Sequence, residues 1–373
     1  VGNELGRPET TQYRMAKPEW MIRASTLAWF FGVVGTGLAI PVILDASWLI
    51  LLAALIAACV LAAAVTVVFR FIRRAERKSS THLWITSSLA IFMLLSIALA
   101  APIYFVALSV AMDPPLAPRA VLSNGKKTLI FQGMMHVGTD RFYKQIVFDL
   151  ERALQDGYVL YYEGIRPNVE ADDWFHETIS GGSTLRAKFT NLSDNCGLNY
   201  QNNFFNLLSI DRELRPDLHV LADVDTLQLK QEYDRLLTVD PAFAAWAERR
   251  GTSVSRNRAS IDWNDAIEFL RGGNESQREL AGYICRYVLS ENSRRRPQPT
   301  QRDKLILDFR NRMVVDQIIS DNADRIYLTY GSRHLSGIIE ELQAVDPTWK
   351  VESVSWIRPV ERTTHFEADF RDP

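Results

Sequence analysis

Three cysteines in 373 residues are too few for a disulfide-stapled scaffold, and no Cys-x-x-Cys or Cys/His finger spacing offers a structural zinc site. The chain also lacks a Gly-x-Ser-x-Gly elbow, a glycine-rich phosphate loop ending in Lys-Ser/Thr, and a His-Glu-x-x-His helix. The usual signatures of serine hydrolases, P-loop NTPases and zincins are therefore missing. A formal net charge of -2 supplies no field toward nucleic acid, which is not expected as a partner. No low-complexity tract or short-period repeat appears. What the chain has in excess is apolar sequence, concentrated in its first third.

Three apolar stretches, about Leu27–Leu44, Trp48–Phe69 and Trp84–Ala111, are each long enough for the ~20 residues of a bilayer-spanning helix. Trp29, Trp48, Trp84 and Tyr104 fall toward their ends, where amphipathic rings favour the interface, and Pro41 and Pro102 are tolerable inside such helices. The spans contain no ionisable residue deep in the apolar runs, as a channel or transporter generally requires; they read as an anchor in a lipid bilayer. Arg70, Arg73, Arg74, Arg77 and Lys78 crowd the loop between the second and third stretches, whereas Asp45 alone marks the first turn. By the positive-inside rule that basic loop is cytoplasmic. The N-terminal tail (Arg7, Arg14, Lys17, Arg23) then lies inside and everything after about Met112 lies outside a cytoplasmic membrane. The first stretch exceeds the usual apolar region of a signal peptide and is read as a retained anchor.

The reading divides the chain into an anchor at 1–112, a proline-rich stalk at 113–126 ("MDPPLAPRAVLSNG" begins at Met112), and a soluble domain at 127–373. In that domain, strands are expected at Thr128–Gln132, Tyr158–Tyr162, Leu218–Ala222, Arg325–Tyr330 and Trp349–Trp356. A helix is expected over Asp140–Gln155, with Phe142, Ile146, Leu150 and Leu154 on one face, Thr139 or Asp140 at its start and Gly157 at its end. The region from Leu227 to Asn322 reads as mostly helical, broken by an exposed loop carrying Arg294–Arg296. The fold class is an α/β soluble domain with a helical insertion, preceded by three transmembrane helices. Cys196 and Cys285 both fall outside the membrane, where a disulfide is permitted, and their pairing is open.

Two Gly-x-x-His units carry the chemistry, Gly133–His136 and Gly331–His334, each at the end of an apolar strand and just before a helix. Six histidines and 19 glycines in this length make roughly 0.3 such pairs expected by chance, so the repetition is informative although the motif is weak alone. Each imidazole would sit near the free N–H groups of a helix start, a setting suited to negative charge. Glu163 ends the strand "YVLYY", and Asp223 and Asp225 follow "HVLA" in the same manner. Open α/β sheets bind ligands at that edge. If the strands are parallel and adjacent, His136, Glu163 and His334 meet there, either to hold a divalent metal that activates water or to act as acid and base without one. An isolated histidine at a strand end is more often structural, Asp223 and Asp225 are more often turn residues, and His82, His176 and His219 have no comparable context.

The segments "GMMHVGTDRFY", "YVLYYEGI", "FRNRMVVDQI" and "YLTYGSRHLSGI" resemble successive motifs of the TraB/PrgY/GumN family, which is related to the Tiki membrane metalloproteases. The resemblance covers about residues 128–357. It implies a metal-dependent hydrolase or peptidase with His136, Glu163 and His334 as metal ligands and catalytic groups, and with Arg310 and Asn311 at the same site. Val224 stands where many members carry an arginine, a departure that puts the role of Asp223 in doubt. The expected activity is hydrolysis of a secreted peptide or protein by a membrane-anchored, extracytoplasmic domain using a divalent metal ion. The alternative is a non-catalytic module that sequesters a secreted peptide or cofactor.

Overall fold

The computed structural model describes residues 19–38, 47–73, 80–180, 185–201, 208–252, 263–273, 275–294 and 298–361. It divides into two compact units, Val1–Phe105 and Val106–Pro373. The first unit contains α1 (Glu19–Leu38), α2 (Leu49–Arg73) and most of α3 (Ser80–Met112). Two stretches, Leu49–Val68 and Trp84–Met112, of 20 and 29 residues, are long and apolar enough to cross a membrane. A third span over Leu27–Leu44 is not found among the described residues. The helix there starts at Glu19 and includes Arg23, residues 39–44 lie outside the described part, and what remains is not a sufficiently long apolar run. The tail to residue 18, Pro41, Asp45 and loop residues 74–79 also fall outside it.

Small residues bring α1 and α3 together. A Cβ on Gly32 would lie 3.1 Å from Ile97, one on Gly35 3.5 Å from the Tyr104 ring, and the Thr36 hydroxyl donates to the Ser96 carbonyl at 2.6 Å. Close approach of apolar helices depends on such residues.

The second unit is a mixed α/β domain built on a six-stranded sheet of order β6-β4-β7-β2-β1-β8. Its strands are β1 (Ala117–Ser123), β2 (Thr128–Met134), β4 (Val159–Tyr162), β6 (His219–Leu221), β7 (Arg325–Gly331) and β8 (Lys350–Ile357); β3 (Val137–Gly138) and β5 (Asn199–Tyr200) form a separate pair. Strands β6, β4, β7 and β2 are mutually parallel, and β1 is antiparallel to both β2 and β8. The stalk reading is corrected here. Only Asp113–Leu116 separates α3 from β1, which pairs on both sides despite Pro118, because the proline sits at the strand's second residue.

Alternation along the strands fills two faces. Ile130, Leu160 and Tyr327 pack on α4 (Asp140–Gln155) through Phe142, Ile146, Leu150 and Leu154. Leu129, Phe131, Ile326 and Leu328 pack on the opposite side with Val314, Val315, Ile318, Ile338 and Leu342. The α4 boundaries are those its apolar periodicity requires; Thr139 accepts from the Phe142 N–H at 3.2 Å as the N-cap, and Gly157 takes φ of 80° after the last turn.

The helical insertion forms further clusters. One joins α5 (Leu185–Cys196), α9 (Trp263–Arg271) and α10 (Glu275–Arg294) around a Cys196–Cys285 disulfide. Beside it the buried guanidinium of Arg286 donates to the carbonyls of Cys196, Gly197 and Glu361 at 2.7–2.9 Å, closing the C-terminus of α5 where a positive charge is favoured. Arg294 ends α10, and residues 295–297 lie outside the described part. The helices between are α6 (Ser209–Leu214), α7 (Thr226–Val239) and α8 (Pro241–Thr252); α11 (Arg310–Ser320) and α12 (Leu335–Val345) flank β7.

Candidate functional site

The parallel strands β4, β7 and β2 are adjacent in that order, and their registers align Tyr162 with Thr329 and Met134 with Gly331. Their carboxyl ends therefore lie side by side, with Glu163 following β4, His334 following β7 and His136 following β2. On the far side of β4, β6 brings Asp223 to the same edge. Of these four parallel strands, β7 comes last in the chain and lies between β4 and β2.

Arg310 organises the acidic groups. It stands at the first residue of α11, directly after a π-helical turn over Lys304–Phe309, a local widening often found at functional positions. Its Nε donates to Asp223 Oδ1 at 2.9 Å, and Nη2 donates to Asp223 Oδ2 at 2.5 Å and to Glu163 Oε1 at 2.7 Å. The planar fork suits this geometry, which a lysine cannot reproduce. Asp223 also accepts from the Gly164 and Val224 N–H groups at 2.9 and 2.8 Å, so its buried carboxylate is fully engaged. Glu163 Oε2 accepts from the Gly331 N–H at 2.5 Å.

The glycines of the two motifs serve close approach. A Cβ on Gly331 would come 3.3 Å from Glu163 Oε2, and one on Gly133 would come 2.7 Å from both Pro118 and the Ser332 hydroxyl. A side chain at Gly133 would force Pro118 and Ser332 to shift, and one at Gly331 would press on the Glu163 carboxylate.

His334 is buried between Tyr330 and Asn311. Its ring meets Tyr330 edge-on at 4.9 Å, and its Nδ1 lies 2.6 Å from Asn311 Oδ1, so Nδ1–H donates and Nε2 keeps a free lone pair. That Nε2 stands 3.8 Å from Glu163 Oε1. Asn311 reaches this position because α12 has Gly337 opposite it, where a Cβ would fall 2.1 Å from the amide nitrogen. His136 is open to solvent; its ring lies 4.0 Å from that of Phe189, and its carbonyl accepts from the Gln201 N–H at 2.9 Å.

These surroundings set the protonation states. Burial raises the Glu163 carboxyl, but Arg310, His334 and His136 outweigh it and bring it down to about 2. Burial, then Arg310, lowers His334 to about 4 against the pull of Glu163. The protein packed around His136 lowers it as well, opposed by Glu163 and Gln201. Near neutral pH the site thus presents one carboxylate and two neutral imidazoles, with a guanidinium behind them.

The implied metal can be tested against these donors. Their chemistry fits, since an ion needs ionised carboxylate and neutral imidazole, and the Asn311 hydrogen bond orients His334 as outer-shell partners orient ligands. Their spacing does not. Among the described residues no group of three His, Cys, Asp or Glu is arranged to hold an ion. Two ligands at ~2.1 Å from one ion stand roughly 3.0–3.4 Å apart, closer than His334 and Glu163, and both Glu163 oxygens already accept hydrogen bonds.

Of the residues singled out from sequence, the structure gathers two hydrogen-bonded pairs, Arg310–Glu163 and Asn311–His334, which face each other across 3.8 Å, with His136 on the same edge. Asp225 is instead the N-cap of α7, in a capping box with Gln228. His176 lies in a π-helical turn at Phe175–Ile179, and His219 is bound between Tyr162 and Asp211 at 2.7 and 2.6 Å; the side chain of His82 lies outside the described part. Asp223, left in doubt because Val224 replaces an expected arginine, is the main partner of Arg310. Tyr330, Phe189 and Gln201 were not anticipated. Only Tyr330 had a usable signal, as the last buried residue before the Gly331 turn. The chain thus defines a mixed α/β domain with a polar cluster at the carboxyl edge of its parallel strands. No protein family model, no curated protein and no solved structure matches it.

Proposed function

We propose that this is a membrane-anchored, extracytoplasmic hydrolase of the TraB/PrgY/GumN type, acting on a secreted peptide or protein. The observation that carries this reading is the Arg310–Glu163···His334 arrangement at the strand edge, with a free imidazole lone pair facing a carboxylate. In this reading Glu163 and His334 hold the attacking water, Arg310 keeps Glu163 ionised and in place, Asn311 fixes the tautomer of His334, and His136 closes the site from β2. The divalent ion that the resemblance implies, on His136, Glu163 and His334, takes no part in this reading, because the spacing of those three groups does not fit it. The anchor reading is supported by two long apolar helices and by the disulfide, which suits an oxidising compartment.

A second reading has its own support. A carboxyl held at about 2 and pinned by Arg310 is a weak proton acceptor near neutral pH, which favours capture of a peptide without turnover. Glu163→Gln separates the two when the full chain, in detergent, is offered a peptide library with and without chelator. Hydrolysis predicts a fall in cleavage of roughly 10²–10⁴-fold with binding retained, whereas pure capture predicts no cleavage by either form.

A further inference from the structure

The strand β8 ends the sheet, and among the described residues its outer edge carries no partner strand and no backbone hydrogen bond. Seven of its eight residues, Lys350 through Trp356, are exposed, including Val351, Val354 and Trp356 at 42, 45 and 58%. Natural edge strands are usually short, twisted by a bulge, broken by proline or lined with charge, because a long apolar edge is a template for pairing. Here the protection is confined to one end. The pairing of β8 with β1 is irregular at Glu352, where Ser353 and Val351 face consecutive residues Val121 and Leu122. That leaves Ser353–Ile357, with Val354, Trp356 and Ile357, as a regular segment without a charge.

We propose that a second copy of this chain pairs with β8 in antiparallel fashion, making one sheet continuous across a two-fold axis at Ser355. The sequence around that centre is self-complementary. Antiparallel pairing about Ser355 sets Val354 of each copy opposite Trp356 of the other, a β-branched and aromatic pair of the kind that stabilises sheets, formed twice. It also sets Glu352 opposite Arg358, twice, so the flanking charges attract. Centring the axis one residue earlier would oppose Lys350 to Arg358 and lose this match. A symmetric contact that buries the same patch on both copies closes on itself and forms a dimer rather than a fibre. One strand edge is a small interface, so the dimer is weak in dilute detergent and favoured where copies share a membrane.

The test uses the full chain in native membranes, in a Cys59→Ser background because Cys59 is the free thiol. Under mild oxidation Ser355→Cys is expected to cross-link as a dimer, while Glu151→Cys, exposed on α4, is expected not to. Adding Glu352→Arg to Ser355→Cys creates two like-charged pairs per dimer and is expected to cut the yield roughly ten-fold; adding Arg358→Glu as well restores the attraction and the yield. The proposal is overturned if Ser355→Cys cross-links no better than Glu151→Cys, or if the charge reversals change the yield without mutual rescue.

Discussion

At the scale of single residues, Arg310 ties together the acidic groups at the strand edge. It is buried and faces two carboxylates, one of them with no exposed side-chain surface. Arg310→Met strands both charges, and loss of one partner from a buried ionic group costs about 3–5 kcal/mol. The melting temperature should fall by several degrees or more, and Arg310→Lys should recover only part of that, because an ammonium cannot hold Asp223 in two places. Tyr161 gives a prediction with a pH signature. Its hydroxyl donates to Asp321 and is the first cause of that carboxyl's depressed pKa. A carboxyl lower in the folded than in the unfolded chain contributes stability above its unfolded pKa and loses it as acid protonates the folded form. Tyr161→Phe should therefore cost roughly 0.5–1.5 kcal/mol near neutral pH, and the gap to the wild type should close as the pH falls below the ordinary aspartate range. A gap that stays constant into acid would mean that the phenol acts by packing alone.

At the scale of elements, what was legible followed from local physics. Of the five expected strands, β2, β4 and β7 were visible, as α4 was, because their apolar residues are buried in the core; β6 and β8 were visible from β-branched and apolar residues although the structure leaves them half-buried or exposed. The His136, Glu163 and His334 strand ends were visible because a glycine or a charge interrupts an apolar run there. β1 was hidden: Pro114, Pro115 and Pro118 mimic an extended linker, and nothing local says that Ala120 and Leu122 are core residues. The role of Asp223 and the ring of Phe189 were hidden for a different reason, since each depends on a partner far away in the chain. The helical insertion is held by tertiary links that sequence leaves open, above all Cys196–Cys285, whose sequence separation is 89. A loop of that length implies about 2–5 kcal/mol on removal. Paired Cys196→Ser and Cys285→Ser substitutions should lower the thermal midpoint accordingly, and mild reductant should lower the wild type to the same value. For α4, Thr139→Ala removes the cap and should cost about 1 kcal/mol.

At the scale of the whole molecule, the account joins an apolar N-terminal unit to a domain whose polar cluster lies at the carboxyl edge of its parallel strands. Its central claim is that Glu163 and His334 work on one bound water rather than serving separate purposes. The most direct measurement is a kinetic double-mutant cycle on peptide hydrolysis by the full chain, with Glu163→Gln, His334→Ala and both together. Groups that act as a unit are strongly non-additive, so the account predicts that each single change abolishes most of the rate and that the double variant falls no further than the worse of the two. Losses that multiply, or variants that cleave as fast as the wild type, would contradict it.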